Sequence, residues 1–291
     1  MPEVLRMTAF PAHPDGGNPA GVVLNAGGLS EAEMLRIAGE VGYAETAFVL
    51  GCEAPEAGVI AEGPILVDIR YFSPRAEVPF CGHATVATAA VLAEKFGQGE
   101  YLFRTPAGDV VLETSSSSGT TIVSFASVEP SVRPLDDAVL DELLSLLGLT
   151  RDDLDTRFAV RESFAGNWHP MIVLHDREVF NQFRFDPRPV ADLMQRNGWT
   201  GTITVLHELG EREFSARNLF PVGRITEDPA TGSAAASTGA YLRALAYAEP
   251  EFEIVIHQGA HVGRPSVLRV RVPKTGGIVV TGTATRIEPA P

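Results

Sequence analysis

Two short blocks hold the residue types best suited to polar chemistry, and they resemble each other. Residues 79–84 read Pro79-Phe80-Cys81-Gly82-His83-Ala84, and residues 229–234 read Pro229-Ala230-Thr231-Gly232-Ser233-Ala234. Each block opens a run of small apolar residues with helical character. Each therefore puts a glycine and a polar side chain where the first backbone N–H groups of a helix lack partners. Such an end carries partial positive charge and accepts an anion, and glycine lets a ligand approach the backbone closely. Two such starts facing each other would clamp a carboxylate or a planar conjugated acid. Taken singly, Ser233 reads equally as a helix cap and Gly82 as a tight turn. The repetition favours a site. Cys81 and Thr231 stand 150 residues apart (81 to 231). Gly17-Asn18-Pro19 before Gly21-Val22-Val23-Leu24 is matched, at a spacing of 149 (18 to 167), by Gly166-Asn167-Trp168 before Met171-Ile172-Val173-Leu174.

Three titratable residues accompany these blocks. Glu45 lies in Tyr43-Ala44-Glu45-Thr46-Ala47-Phe48-Val49, where strand alternation gives it a face shared with Ala47 and Val49. A carboxylate among small apolar neighbours is desolvated and its pKa raised, which suits a group that takes a proton from carbon and returns it; an exposed strand end is the alternative. His83 opens a buried helix, where burial and the helix dipole both keep the ring neutral; a hydrogen-bonded core histidine fits equally. Asp228 before Pro229 is either a site carboxylate or a helix-initiating Asx cap. A third stretch, His257-Gln258-Gly259 with Gly263-Arg264-Pro265-Ser266, offers Arg264 to an anion or is a hairpin turn. His13 and His169 lie near the Gly-Asn blocks and could edge a pocket. His175, His207 and His261 show no ligand spacing, and no metal site is expected. The chain has no G-x-G-x-x-G, P-loop or G-x-S-x-G motif, so no cofactor is expected.

The elements that must position these residues are mostly strands. Strand-like runs fall at Gly21–Leu24, Thr46–Leu50, Leu66–Phe72, Asp109–Thr114, Thr121–Phe125, Met171–Leu174, Thr202–Leu206, Ile254–His257, Leu268–Val272 and Ile278–Gly282. Ser30 with Glu31 and Glu33 starts a helix. Pro134–Leu147 and Pro189–Asn197 read as surface helices, Val128–Asp137 as a linker, Ser115–Ser118 as a hairpin turn, and Cys52 as part of the loop GCEAPEAG. Gly82–Phe96 and Gly232–Ala246 are apolar on most faces and so buried on most faces. Many strands around two such helices imply two curled sheets, each wrapped around one helix. A doubly wound sheet would need regular β–α alternation.

Of the 291 residues, 45% are hydrophobic and 21% charged, and the net charge is −14. That balance suits a two-domain soluble protein and argues against a nucleic-acid or anionic-membrane surface. Two cysteines exclude a disulfide framework. With no signal-peptide pattern and no membrane-length apolar run, a cytoplasmic location is expected.

The chain resembles the PhzF-like family of phenazine biosynthesis, within the diaminopimelate epimerase-like superfold. The resemblance rests on GGNPAGVVL, ETAFVL, YFSPRAEVPFCGHATVATA, FPVGRITEDPATGSAAA and HQGAHVGRPS, in order along the whole chain. It implies an α+β fold of two pseudo-symmetric halves, each a curved, mostly antiparallel β half-barrel around a central helix, with the active site in the cleft between them. The halves would be residues 1–127 plus 277–291, and 128–276. It implies Glu45 as catalytic acid/base, with His83 and Asp228 beside it, and Asn18, Gly82, Thr231, Gly232 and Ser233 as substrate-binding residues. It implies a cofactor-independent proton shift on a small carboxylated or unsaturated molecule, and a homodimer. Epimerases and racemases of the superfold use a cysteine at each helix start. Here Cys81 holds the first position and Thr231 the second, and a threonine hydroxyl is far weaker an acid than a thiol. One-base chemistry through Glu45 is thus expected, leaving Cys81 as a small buried residue. An amino- or imino-acid racemase or epimerase, and a non-catalytic small-ligand-binding protein, are the alternatives.

Overall fold

The structure, a computed structural model, describes residues 2–54, 63–223 and 225–288. The chain divides into two compact units, Met1–Ala126 with Thr281–Pro291, and Ser127–Val280.

The first unit contains β1 (Leu5–Ala9), β2 (Asn18–Val23), α1 (Glu31–Val41), β3 (Glu45–Glu53), β4 (Ile65–Phe72), the short β5 (Glu77–Val78), α2 (Gly82–Phe96), β6 (Gly99–Thr105), β7 (Gly108–Ser117) and β8 (Thr120–Ala126). The second contains β9 (Ser131–Pro134), α3 (Asp137–Leu146), β10 (Arg161–Phe164), β11 (Trp168–Val173), α4 (Arg177–Gln182), α5 (Pro187–Asn197), β12 (Ile203–Gly210), β13 (Glu213–Leu219), the short β14 (Glu227–Asp228), α6 (Gly232–Ala244), β15 (Phe252–Gln258) and β16 (Ser266–Val272). The last strand, β17 (Val279–Arg286), pairs with β1 through Met7↔Arg286 and Ala9↔Ala284.

In the first unit, pairing runs β17–β1–β2–β3–β4–β6–β7–β8 and returns to β17. The curved sheet expected there closes completely, which removes its exposed edges. The pairs β2–β3 and β4–β6 are parallel. α2 runs against β1, β2, β3, β7 and β8, and every residue from His83 to Ala93 is buried. Its alanines, valines and threonines are small enough for strands to surround it. α1 packs outside the barrel. A Ser30–Glu33 capping box starts it and Gly42, left-handed, stops it. Met34, Ile37, Ala38 and Val41 then form one buried stripe against Phe48 and Phe72.

The second unit repeats this scheme. Its sheet runs β9–β10–β11–β12–β13–β15–β16, with β11–β12 and β13–β15 parallel. α6 packs on β9, β10, β11 and β16. α3 and α5 join one apolar cluster with β11, β12 and Trp199. Both repeats carry a bulge in the same hairpin, between Val49 and Gly51 on β3 and between Glu208 and Gly210 on β12.

Several expectations need correction. The proposed linker Val128–Asp137 contains β9, whose Ser131–Pro134 pairs with Phe164–Arg161. Pro134 therefore ends a strand, and α3 starts later, at Asp137, capped by Asp136. Ser115–Ser117 extend β7; only Ser118 and Gly119, both at positive φ, make the turn. Cys52 lies on β3, which continues past its bulge, while residues 55–58 of the expected loop lie outside the described residues. α6 stops at Ala244, before Ala246 takes a positive φ. β1, β6, β9, β10, β13 and α4 were absent from the sequence reading. No helix among the described residues is long and apolar enough to cross a membrane.

Candidate active site

In each unit the polar residues gather at the start of the central helix, because a strand end and a two-residue strand meet there. The parallel pair β2–β3 sets Ala20 opposite Glu45. Phe48 packs outward with α1, so Glu45, Ala47 and Val49 take the opposite face, towards α2. Ala47 and Val49 are fully buried, and the Glu45 side chain keeps 19% exposure at the strand's beginning.

Glu45, Cys81, His83 and Asn18 form one cluster. The Cys81 thiol donates to Glu45 Oε2 at 3.6 Å and lies 3.4 Å from His83 Nδ1. His83 Nε2 is 3.5 Å from Glu45 Oε2. Asn18 Nδ2 stands 3.2 Å from His83 Nδ1. Burial lowers the His83 pKa to about 4, against a smaller opposing hydrogen bond to the Pro19 backbone. The ring is therefore neutral at neutral pH, as a buried helix start demands. Cys81 is more than the small filler expected: it touches both titratable neighbours. Its carbonyl also accepts from Thr85 Oγ1 at 2.8 Å, and Thr85 is bonded in turn to Tyr71 at 2.5 Å. Gly82 is the first residue of α2. The Cys81 side chain makes no capping bond to the helix backbone.

The second unit has its own cluster. Asp228, nearly buried, accepts the Thr231 hydroxyl. Thr231 occupies the N-cap position of α6. Gln258 ties the turn together. Its Nε2 donates to the Asp228 carbonyl at 2.7 Å and to Thr231 Oγ1 at 3.0 Å, and its Oε1 accepts the Thr231 N–H at 3.2 Å. Gly232 and Ser233 open α6. Ser233 Oγ bonds His169 Nε2 at 3.1 Å; a hydroxyl serves either tautomer. His169 Nδ1 is 2.9 Å from both N and O of Thr202, and the Thr202 hydroxyl donates to Asn218 Oδ1 at 2.7 Å. Burial lowers the His169 pKa to about 4.

The two clusters share a plan. In one, Asn18 at the head of β2 meets His83; in the other, His169 near the head of β11 meets Ser233. Each short strand before the helix is also clamped by an arginine. Arg70 grips Glu77 through two 2.6 Å bonds at partial exposure. Arg217 grips Glu227 at 2.6 Å with both side chains buried, and it also donates to the carbonyls of Phe180 and Phe183. Sequence reasoning missed both clamps, named Gln258 only within a Gly-rich stretch and without a role, and gave His169 only a marginal place. The available signal was an Arg followed by a Glu just ahead of each block, Arg70 with Glu77 and Arg217 with Glu227, at spacings that differ by three residues. His13 is exposed and bonds locally to Asp15. A cavity lined by Leu24, Leu50, Cys52, Leu92 and Lys95 lies at the far end of α2. A 15-residue helix puts that end about 20 Å from Gly82, so the cavity is not part of this chemistry.

Helix-centred sheets with polar clusters at both helix starts define the diaminopimelate epimerase-like class of α+β proteins. Within it the chain belongs to the PhzC-PhzF family of phenazine biosynthesis-like proteins, whose family model matches residues 7–289. It is 31% identical to the isomerase YfhB of Bacillus subtilis, itself of uncharacterised activity, over 98% of this chain and 97% of that one. It is 30% identical to the trans-2,3-dihydro-3-hydroxyanthranilate isomerase of Pseudomonas fluorescens, over 89% and 86% of the two chains. The PhzF-family protein of Bacillus anthracis superposes with a TM-score of 0.81 at 26% identity, covering 98% of this chain and 96% of that one. A hydroxyproline epimerase of Agrobacterium vitis shares the fold at a TM-score of 0.60 and 11% identity, covering 97% and 90%. The chain is an enzyme of the isomerase class.

Proposed function

We propose that this isomerase moves a proton between carbons of a small carboxylated or unsaturated substrate without a cofactor, and that Glu45 carries the proton. The observation that supports this most is the placement of Glu45 Oε2 within hydrogen-bonding reach of both the Cys81 thiol and the neutral His83 ring, at the start of α2. A carboxylate so held takes a proton from an acidified C–H and returns it to another carbon on the same face. The helix N-terminus behind it favours the negative charge that builds up on the substrate during transfer. His83, neutral, donates or accepts a hydrogen bond without competing as a charged acid. In the second unit, Asp228, Thr231, Gly232 and Ser233 are proposed as substrate-binding or catalytic groups, with Gln258 and His169 fixing their positions. Thr231 supports proton shift over stereoinversion, since its hydroxyl is held by Asp228 and is too weak an acid to stand in for a thiol.

The test is a screen in D2O with trans-2,3-dihydro-3-hydroxyanthranilate, the substrate named for the Pseudomonas relative, together with small carboxylated dienes, enamines and amino acids. Isomerised product carrying deuterium is expected for at least one diene or enamine. Racemised amino acid with sensitivity to thiol alkylation would instead support an epimerase. Binding with no incorporation for any ligand would overturn the catalytic reading.

A further inference from the structure

Three side chains of different metal-binding character converge in the first unit. The Cys81 Sγ, a His83 ring nitrogen and a Glu45 carboxylate oxygen all lie within 4.8 Å of one another. We propose that they form a binding site for a thiophilic divalent cation, with Zn2+ the best fit, and that its occupancy blocks Glu45. The second half rests on the proposed role of Glu45; the first does not.

The geometry supports it. Zinc at about 2.3 Å from sulfur and about 2.0–2.1 Å from nitrogen and oxygen holds tetrahedral ligand atoms about 3.3–3.6 Å apart. Here Nε2–Oε2 is 3.5 Å, Sγ–Oε2 is 3.6 Å and Sγ–Nε2 is 3.8 Å. The carboxylate spacings are close to the ideal set, but Sγ also lies 3.4 Å from Nδ1, nearer that nitrogen than Nε2, so the Cys81 side chain must swing by roughly 1–2 Å to share a cation held on the Nε2 lone pair. Sulfur, imidazole and carboxylate together select zinc over Mg2+ or Ca2+, which take oxygen ligands. Asn18 Nδ2 stands 3.2 Å from Nδ1; on binding, the amide must turn so that its Oδ1 accepts the Nδ1–H that ligation through Nε2 requires. Cys81 and His83 are buried, and Glu45 keeps partial exposure. That exposure gives the cation a way in and leaves its fourth position open to water or substrate. On binding, the thiol proton is lost to solvent and sulfur coordinates as thiolate.

The test uses the full-length protein, stripped with a chelator and titrated with Zn2+ against a competing chromophoric chelator, and separately with Co2+. One Zn2+ per chain is expected, with a thiolate-to-cobalt charge-transfer band in the Co2+ form. Cys81→Ala should weaken zinc at least about 100-fold and remove the band, whereas Cys52→Ala, on the other cysteine, should change neither. Circular dichroism checks the fold, and Cys81→Ser substitutes should the alanine variant fail to fold. No stoichiometric zinc, or a band that survives Cys81→Ala, would overturn the site. Zinc bound through Cys81 with substrate deuteration unaffected would leave the site standing and overturn the assignment of Glu45 as proton carrier.

Discussion

Replacing Arg217 by Met tests whether the second helix start is held by a buried ion pair. Arg217 and Glu227 are 3% and 6% exposed. Removing the guanidinium leaves Glu227 as a buried charge and also strips two donors from the carbonyls of Phe180 and Phe183. Breaking a buried pair from one side costs about 3–5 kcal/mol, whereas replacing both partners by neutral groups costs far less. Arg217→Met should therefore lose about 4 kcal/mol, and the double variant Arg217→Met/Glu227→Gln should regain about 2 kcal/mol of that, the carbonyls still lacking their donor. The assay is urea unfolding followed by tryptophan fluorescence. Both tryptophans, Trp168 and Trp199, lie in the second unit, so the signal reports that unit and not a mixture of two transitions. The corresponding clamp in the first unit is 26% and 28% exposed. Arg70→Met, followed by circular dichroism, should cost only about 1 kcal/mol or less. Equal losses at the two clamps, or a double variant no better than Arg217→Met, would refute the reasoning.

Three further outcomes follow from the same contacts. Gly201→Ala places a Cβ 2.6 Å from His169 Nε2; it should displace the ring from Ser233 and cost about 1–3 kcal/mol in a thermal melt, and an unchanged melt contradicts the packing. The His169 pKa, about 4 when folded against 6.5 for the free side chain, makes stability fall with pH. Above about pH 6.5 neither state is protonated; between 6.5 and 4 only the unfolded chain takes the proton. The native state therefore loses up to about 3 kcal/mol across that window. His169→Gln should flatten this part of the stability–pH curve, and an unaltered slope counts against it. Ser30→Ala breaks the capping box of α1 and should cost about 1 kcal/mol in chemical denaturation, with a null result showing the cap to be idle.

What the sequence disclosed depended on how local the determining contacts are. The start of α2 at Gly82 and its end at Phe96 follow from one run of small residues between glycines, and the structure has the same bounds. α5 was legible to its end at Asn197, but it starts two residues before the expected Pro189, at Pro187 behind the Asp186 cap. Several missed strands pair with their sequence neighbours, β6 with β7 and β13 with β12, but their residues do not alternate cleanly between apolar and polar. β10 reads Arg161-Glu162-Ser163-Phe164, polar enough for a loop. Yet Glu162 is buried because Arg133 and the Trp199 indole N–H bind it, and Ser163 because it donates to the Ser237 carbonyl. β3 was legible from its apolar run even though α1 covers one face and α2 the other, so that Thr46 to Val49 are all buried. The site showed the same limit. Glu45, His83 and Asp228 stood in recognisable blocks, whereas Gln258 enters through long-range bonds from β15. The contact between Cys81 and Glu45 spans 36 positions, which no local pattern displays.

The most direct test of the central claim compares deuterium incorporation into a turned-over substrate by the wild-type enzyme and by Glu45→Gln in D2O. The amide keeps the size of the side chain and its contact with Cys81 but cannot carry the proton. The account predicts a well-folded variant whose incorporation and turnover fall together by about 10²–10⁴-fold. A folded Glu45→Gln enzyme that still exchanges the substrate proton at the wild-type rate would contradict it.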